Sequence, residues 1–174
     1  NAGDGPKAWV SAKLQWDSDQ DVAALLQEWY GRAVGPEAAP ELAAYYELGE
    51  KVWTERVKDS LWFDKGKNNT YLSFSDASYL HLVTDADIAE SRKLLDSVVA
   101  KAQTDQQKKR AEMLQHAFEY YEASALSYPR MVEVPEDEAG AFAMLNNLLN
   151  GPEFESKRNT LMEKFKDEPA LAFQ

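Results

Sequence analysis

The groups best able to do chemistry in this chain are its acids. Asp17-x-Asp19-x-Asp21, with Glu28 eleven positions after Asp17, imitates the oxygen spacing of a calcium loop. Such a loop needs glycine at its sixth position for the sharp turn, and that residue is Val22. The three aspartates are therefore expected to cap a helix and to place negative charge at its positive end. His81 and His116 are the only histidines. No H-E-x-x-H or G-x-S-x-G accompanies them, so metalloprotease and serine-hydrolase chemistry lack their usual frames. Thirty carboxylates make close pairs unavoidable. Glycoside hydrolysis needs one particular pair, about 5–10 Å apart across a cleft, and spacing alone selects none. Lys108-Lys109-Arg110 has no interleaved aromatics and reads as a solvated helix face. Cysteine is absent, which removes thiolate catalysis and cysteine-based zinc sites. The sequence thus assigns no catalytic residue, no metal ligand and no cofactor.

The tryptophans are the other conspicuous residues. All five lie in the first 62 positions: Trp9, Trp16, Trp29, Trp53 and Trp62. Trp29 and Trp53 fall on apolar stripes and are expected in the core. Trp9, Trp16 and Trp62 fall outside the clean stripes. They are the candidates for docking a neighbouring domain or for stacking on a sugar ring.

The elements that must hold these residues are helical nearly throughout. A short candidate covers 8–15. Val22, Leu25, Leu26, Trp29, Tyr30 and Ala33 form one stripe, and Gly35-Pro36 ends it, which predicts a helix over 19–34. Leu42, Tyr45, Tyr46, Gly49, Val52 and Trp53 predict another over 37–59, with a close neighbour expected against Gly49. Residues 60–79 mix glycine, asparagine and serine with Trp62, Phe63, Tyr71 and Phe74. They read as an irregular aromatic-rich loop, with a short strand or a 3₁₀ turn within it as the alternative. Thr84-x-x-Asp87 and Thr104-x-x-Gln107 are capping-box starts for helices over 85–102 and 105–127, paired as an antiparallel hairpin. Pro135 opens a shorter helix with Phe142, Leu145 and Leu148. After Gly151-Pro152, Phe154, Leu161 and Phe165 continue to about residue 166.

The expected fold is all-α: an irregular bundle of six or seven helices in a single domain over 3–174. Asn1-Ala2 reads as a tag remnant, which makes the chain a fragment of a larger protein. The 174 residues carry 19 basic and 30 acidic side chains, a net charge of −11. Such a surface repels phosphate backbones and anionic lipid, so neither nucleic acid nor membrane is an expected partner.

The stretch 12–53 resembles a segment of large, mostly exported bacterial proteins whose central part is an uncharacterised glycoside-hydrolase-like domain. The resemblance rests on Leu-x-Trp-Asp at 14–17, Tyr30-Gly31, Gly-Pro-x-Ala-Ala at 35–39 and Tyr45-Tyr46. The stretch 91–128 resembles the helical hairpin that follows in those proteins. The resemblance implies an upstream TIM-type barrel, with hexosaminidase-like and α-glucuronidase-like relatives, and export with the parent protein. It implies that this chain is a non-catalytic C-terminal helical accessory domain of a carbohydrate-active enzyme, packed on that barrel. Two other readings stand beside it: an independent carbohydrate- or partner-binding module, and a self-contained enzyme.

Overall fold

A computed structural model describes residues 4–69, 77–128 and 135–150, together with residues 159, 160, 163 and 166. Seven α-helices lie among them: α1 (Lys7–Trp16), α2 (Val22–Val34), α3 (Ala39–Lys51), α4 (Leu61–Gly66), α5 (Asp85–Lys101), α6 (Asp105–Ser127) and α7 (Glu138–Asn150). The fold is all-α, with no strand among the described residues. The expected tag residues Asn1-Ala2, the aromatics Tyr71 and Phe74, and Phe154, Leu161 and Phe165 lie outside the described residues.

The core is a four-helix arrangement. α3 packs between α2 and α5, α5 pairs with α6, and α2 also touches α6. Leu42, Val34, Leu95, Val98 and Phe118 are completely buried at their meeting. Burying one such side chain stabilises the fold by about 1.5–3 kcal/mol. The α5 stripe is buried along its length at Ile88, Ser91, Leu95, Val98 and Ala102.

Local chemistry fixes the ends of these helices. Asp21 accepts from the Ala23 amide at 2.9 Å and caps α2. Gly35 follows α2 with φ +89°, where a Cβ would meet the Gln107 side chain at 2.6 Å, so the position requires glycine. Arg110 reaches back from α6 and donates to Ala33 O (2.6 Å) and Arg32 O (3.1 Å), satisfying the last carbonyls of α2. Both capping boxes form. Thr84 and Asp87 open α5, and Thr104 and Gln107 open α6.

Three expectations need correction. The helix over 37–59 is not uniform. Beyond α3 it widens into a π turn at Val52–Arg56 and then tightens into a 3₁₀ turn at Val57–Asp59. The wide turn breaks the 3.6-residue register, so Val52 and Val57 are buried while Trp53 emerges 43% exposed. Second, Gly49 has no close neighbour among the described residues: beyond its own helix, a Cβ there would meet nothing within 4 Å. Third, residues 60–79 are not one loop. Ser60 accepts from the Phe63 amide at 3.0 Å and starts α4, which that reading did not contain, while Ala77–Leu82 forms a 3₁₀ helix, which it allowed.

Candidate functional site

Two surfaces combine exposure with aromatic chemistry. The first is the outer face of α1. No residue of this helix is buried, although Trp9 is half-covered. Lys13 Nζ lies 4.7 Å and the Arg32 guanidinium 5.8 Å from the centre of the Trp9 ring, so the ring is flanked by cations. Trp9 Nε1 is buried without a hydrogen-bond partner among the described residues. Trp16, seven residues on and so on the same side of the helix, is 93% exposed. Trp9, Ala12, Lys13, Trp16, Asp17 and Gln20 line a shallow depression of about 460 Å³. Gln20 Nε2 donates to Lys13 O at 3.1 Å and to Asp17 O at 3.3 Å, which closes the end of α1.

The aspartates beside it are engaged in turns. Asp17 Oδ1 accepts from the Asp19 amide at 3.1 Å, and Asp21 caps α2. Glu28 pairs with Arg32 at 2.8 Å from within α2, so it is not the last ligand of a loop. Among the described residues no cluster of acids and histidines has metal-binding geometry.

Trp62 leaves the proposed set. It is 2% exposed and packs edge-on against Trp53 (5.8 Å) and Tyr79 (5.7 Å). It therefore belongs to the interior, while its stripe-bound neighbour Trp53 reaches solvent.

The second surface is a cleft of about 1030 Å³ with walls from α1, α2, α3, the π turn, α5 and α6. Tyrosines dominate its lining. Tyr30 and Tyr46 stack at 6.0 Å, Tyr45 meets Tyr46 edge-on at 5.1 Å, and Tyr45 meets Phe118 at 5.9 Å. Burial pushes the Tyr45 hydroxyl up to about 12 and raises that of Tyr121 as well. Both are neutral hydrogen-bonding groups near pH 7. Tyr46 Oη is buried without a hydrogen-bond partner among the described residues. It lies under Gly5, whose φ is +59° and whose missing Cβ would fall 2.6 Å from that oxygen.

Asp87 is the buried carboxylate of this wall. Arg56, projecting from the π turn, donates to it at 2.5 and 3.1 Å and also to Leu82 O at 2.9 Å. The Arg56 hydrogen bonds, supported by those from Thr84, hold the Asp87 carboxyl down at about 2. It stays ionised and is a poor general acid. Neither histidine lies among the described residues of the cleft wall. His81 instead stands edge-on to Tyr128 at 4.7 Å. The arrangement is suited to holding a molecule by ring faces and neutral hydroxyls.

The sequence reading treated these tyrosines as stripe and packing residues. The signal that marks them is the residue type. Tyr30, Tyr45, Tyr46 and Tyr121 occupy stripe positions of three helices where leucine or valine would fill a core without leaving a hydroxyl to satisfy.

The fold and its surfaces define an all-α bundle with an exposed aromatic helix and an aromatic cleft. Residues 1–47, which contain α1, α2 and the first part of α3, match the model of a domain of unknown function, DUF4838. No curated protein and no solved structure matches the chain.

Proposed function

We propose that this chain is a non-catalytic helical accessory domain of a carbohydrate-active, glycoside-hydrolase-like protein, docked on an upstream catalytic domain through α1. The observation that carries the docking is Trp16, 93% exposed on a helix that buries none of its residues. A tryptophan so exposed, on the same helical face as a half-covered Trp9, suits an interface that covers both. The carbohydrate connection comes from the resemblance over 12–53, and export is proposed with it. The accessory role agrees with the chemistry of the cleft, where Asp87 is held by Arg56 and not poised to give up a proton.

The test has two arms. The chain alone, offered aryl glycosides of hexosamines, hexoses and uronic acids, is expected to release no phenol. In a longer protein that includes the upstream domain, Trp16→Ala is expected to lower the melting temperature, whereas the isolated chain should tolerate it. Turnover abolished by one Asp or Glu substitution would refute the accessory reading. An unchanged melting temperature in the longer protein would remove α1 as the docking face. The tyrosine cleft favours a second reading, an independent binding module.

A further inference from the structure

The cleft holds hydrogen-bonding capacity that the fold does not use. Tyr46 Oη has no hydrogen-bond partner among the described residues, but it is closed off beneath Gly5 and does not face the cleft space. Tyr45 and Tyr121 bring hydroxyls into the cleft, with Ser91 beside them. Gly49 leaves bare backbone in the wall: beyond its own helix, no atom of a described residue lies within 4 Å of where its Cβ would stand. The volume, about 1030 Å³, is at the upper end of the range of about 300–1,000 Å³ for small-molecule sites.

The lining also limits what can enter. Asp4 and Glu50 supply two carboxylates against Lys7 among the described lining residues, the charge of Asp87 being taken up by Arg56. An anion would meet net negative charge. A phenol hydroxyl both donates and accepts, which an ammonium ligand, a donor only, would not require. A ligand rich in hydroxyls needs both, and its C–H face matches the tyrosine and tryptophan rings. We infer that the cleft between α3 and α6 is a binding site for an uncharged, polyhydroxylated ring compound of the saccharide class. This assignment deepens the binding-module reading and rests on the cleft alone, so it does not depend on α1 docking to anything.

The experiment is calorimetric titration of the whole chain with cellobiose and N,N′-diacetylchitobiose, with glucuronate and tetramethylammonium chloride as charged controls. Binding of at least one neutral disaccharide is expected, with no heat from glucuronate. Tyr45→Phe and Tyr121→Phe keep ring and volume and remove one hydroxyl each. Each should weaken binding by about threefold to tenfold, the effect of one hydrogen bond. Melting temperatures of the variants establish that they fold. Trp16→Ala should leave the affinity unchanged, which separates this site from the docking face. Four results would overturn the assignment: no binding of either disaccharide up to about 10 mM, the weak end of specific recognition; affinity indifferent to both tyrosine variants; binding abolished by Trp16→Ala; or binding of tetramethylammonium alone.

Discussion

The α5–α6 hairpin and the segment from α3 to α4 are built from similar materials, yet only the first was fully readable. In the hairpin each helix begins at a threonine whose side chain accepts from the residue three positions on. Its apolar residues then fall on one unbroken 3.6-residue stripe. Every determinant is local, so sequence and structure agree. Between α3 and α4 the stripe meets a π turn and then ends at the extended Ser60, and two tryptophans have the opposite of their expected fates. Trp53, on the stripe, reaches solvent. Trp62, off the stripe, is enclosed. Periodicity reports burial only while the helix keeps its period. Where the period changes, the partners that compete for the interior decide.

The largest expected effect tests the enclosure of Trp62 against a tryptophan in solvent. Trp62→Ala should destabilise the chain by about 3–5 kcal/mol, as for other buried aromatics. Trp16→Ala, at 93% exposure, should stay within about 0.5 kcal/mol in the same chain. Urea unfolding of both variants measures the difference. Equal effects would mean that the two tryptophans share one environment and that the contrast drawn here is wrong.

That contrast also explains what was legible. The all-α class, both capping boxes, the stop at Gly35 and the burial of Ile88 through Ala102 follow from spacing and from side chains that bond to nearby backbone. α4 escaped notice because its six residues are too few to show a stripe, and its only local sign is Ser60. The exposure of Trp16 was legible, since nothing placed it on a stripe. The cleft was not. It depends on Tyr30, Tyr45, Tyr46 and Tyr121 meeting from three helices, and the long-range packing that brings them together has no local signature. Arg56 was equally silent: its value lies in reaching Asp87, 31 residues away.

An intermediate effect probes the clamp between the irregular segment and the regular hairpin. Arg56 joins the π turn to the first turn of α5 through Asp87, whose side chain is 11% exposed. The folded carboxyl sits at about 2 against an ordinary 3.8, so folding favours its charged form. The stabilisation is therefore complete above about pH 3.8 and is lost as pH falls through about 2. Near pH 7 the shift corresponds to about 2 kcal/mol, as an order of magnitude. Asp87→Asn should cost that much at neutral pH, and the two denaturation midpoints should converge as the pH is lowered toward 2. A difference that stayed constant from neutral pH to pH 2 would show that Asp87 acts through shape and capping alone.

The smallest effect sharpens the comparison most, because it concerns the residue at which spacing gave the wrong neighbour. Gly49 sits near the end of α3, three residues before the π turn. Mid-helix glycine costs about 0.5–1 kcal/mol relative to alanine, so close packing was the natural explanation for it. The structure supplies none: the Cβ position faces open cleft. Gly35 is the opposite case, with positive φ and Gln107 against it. Gly49→Ala should therefore stabilise the chain by about 0.5–1 kcal/mol, read as a higher urea midpoint with an unchanged slope. Gly35→Ala should destabilise it. If Gly49→Ala is stabilising, packing among the described residues gives no reason for glycine at 49, and its bare wall is open to a molecule in the cleft. The added methyl group would then weaken saccharide binding while strengthening the fold. If Gly49→Ala instead destabilises, the π turn needs a flexible residue ahead of it, and the open wall is a by-product of that need.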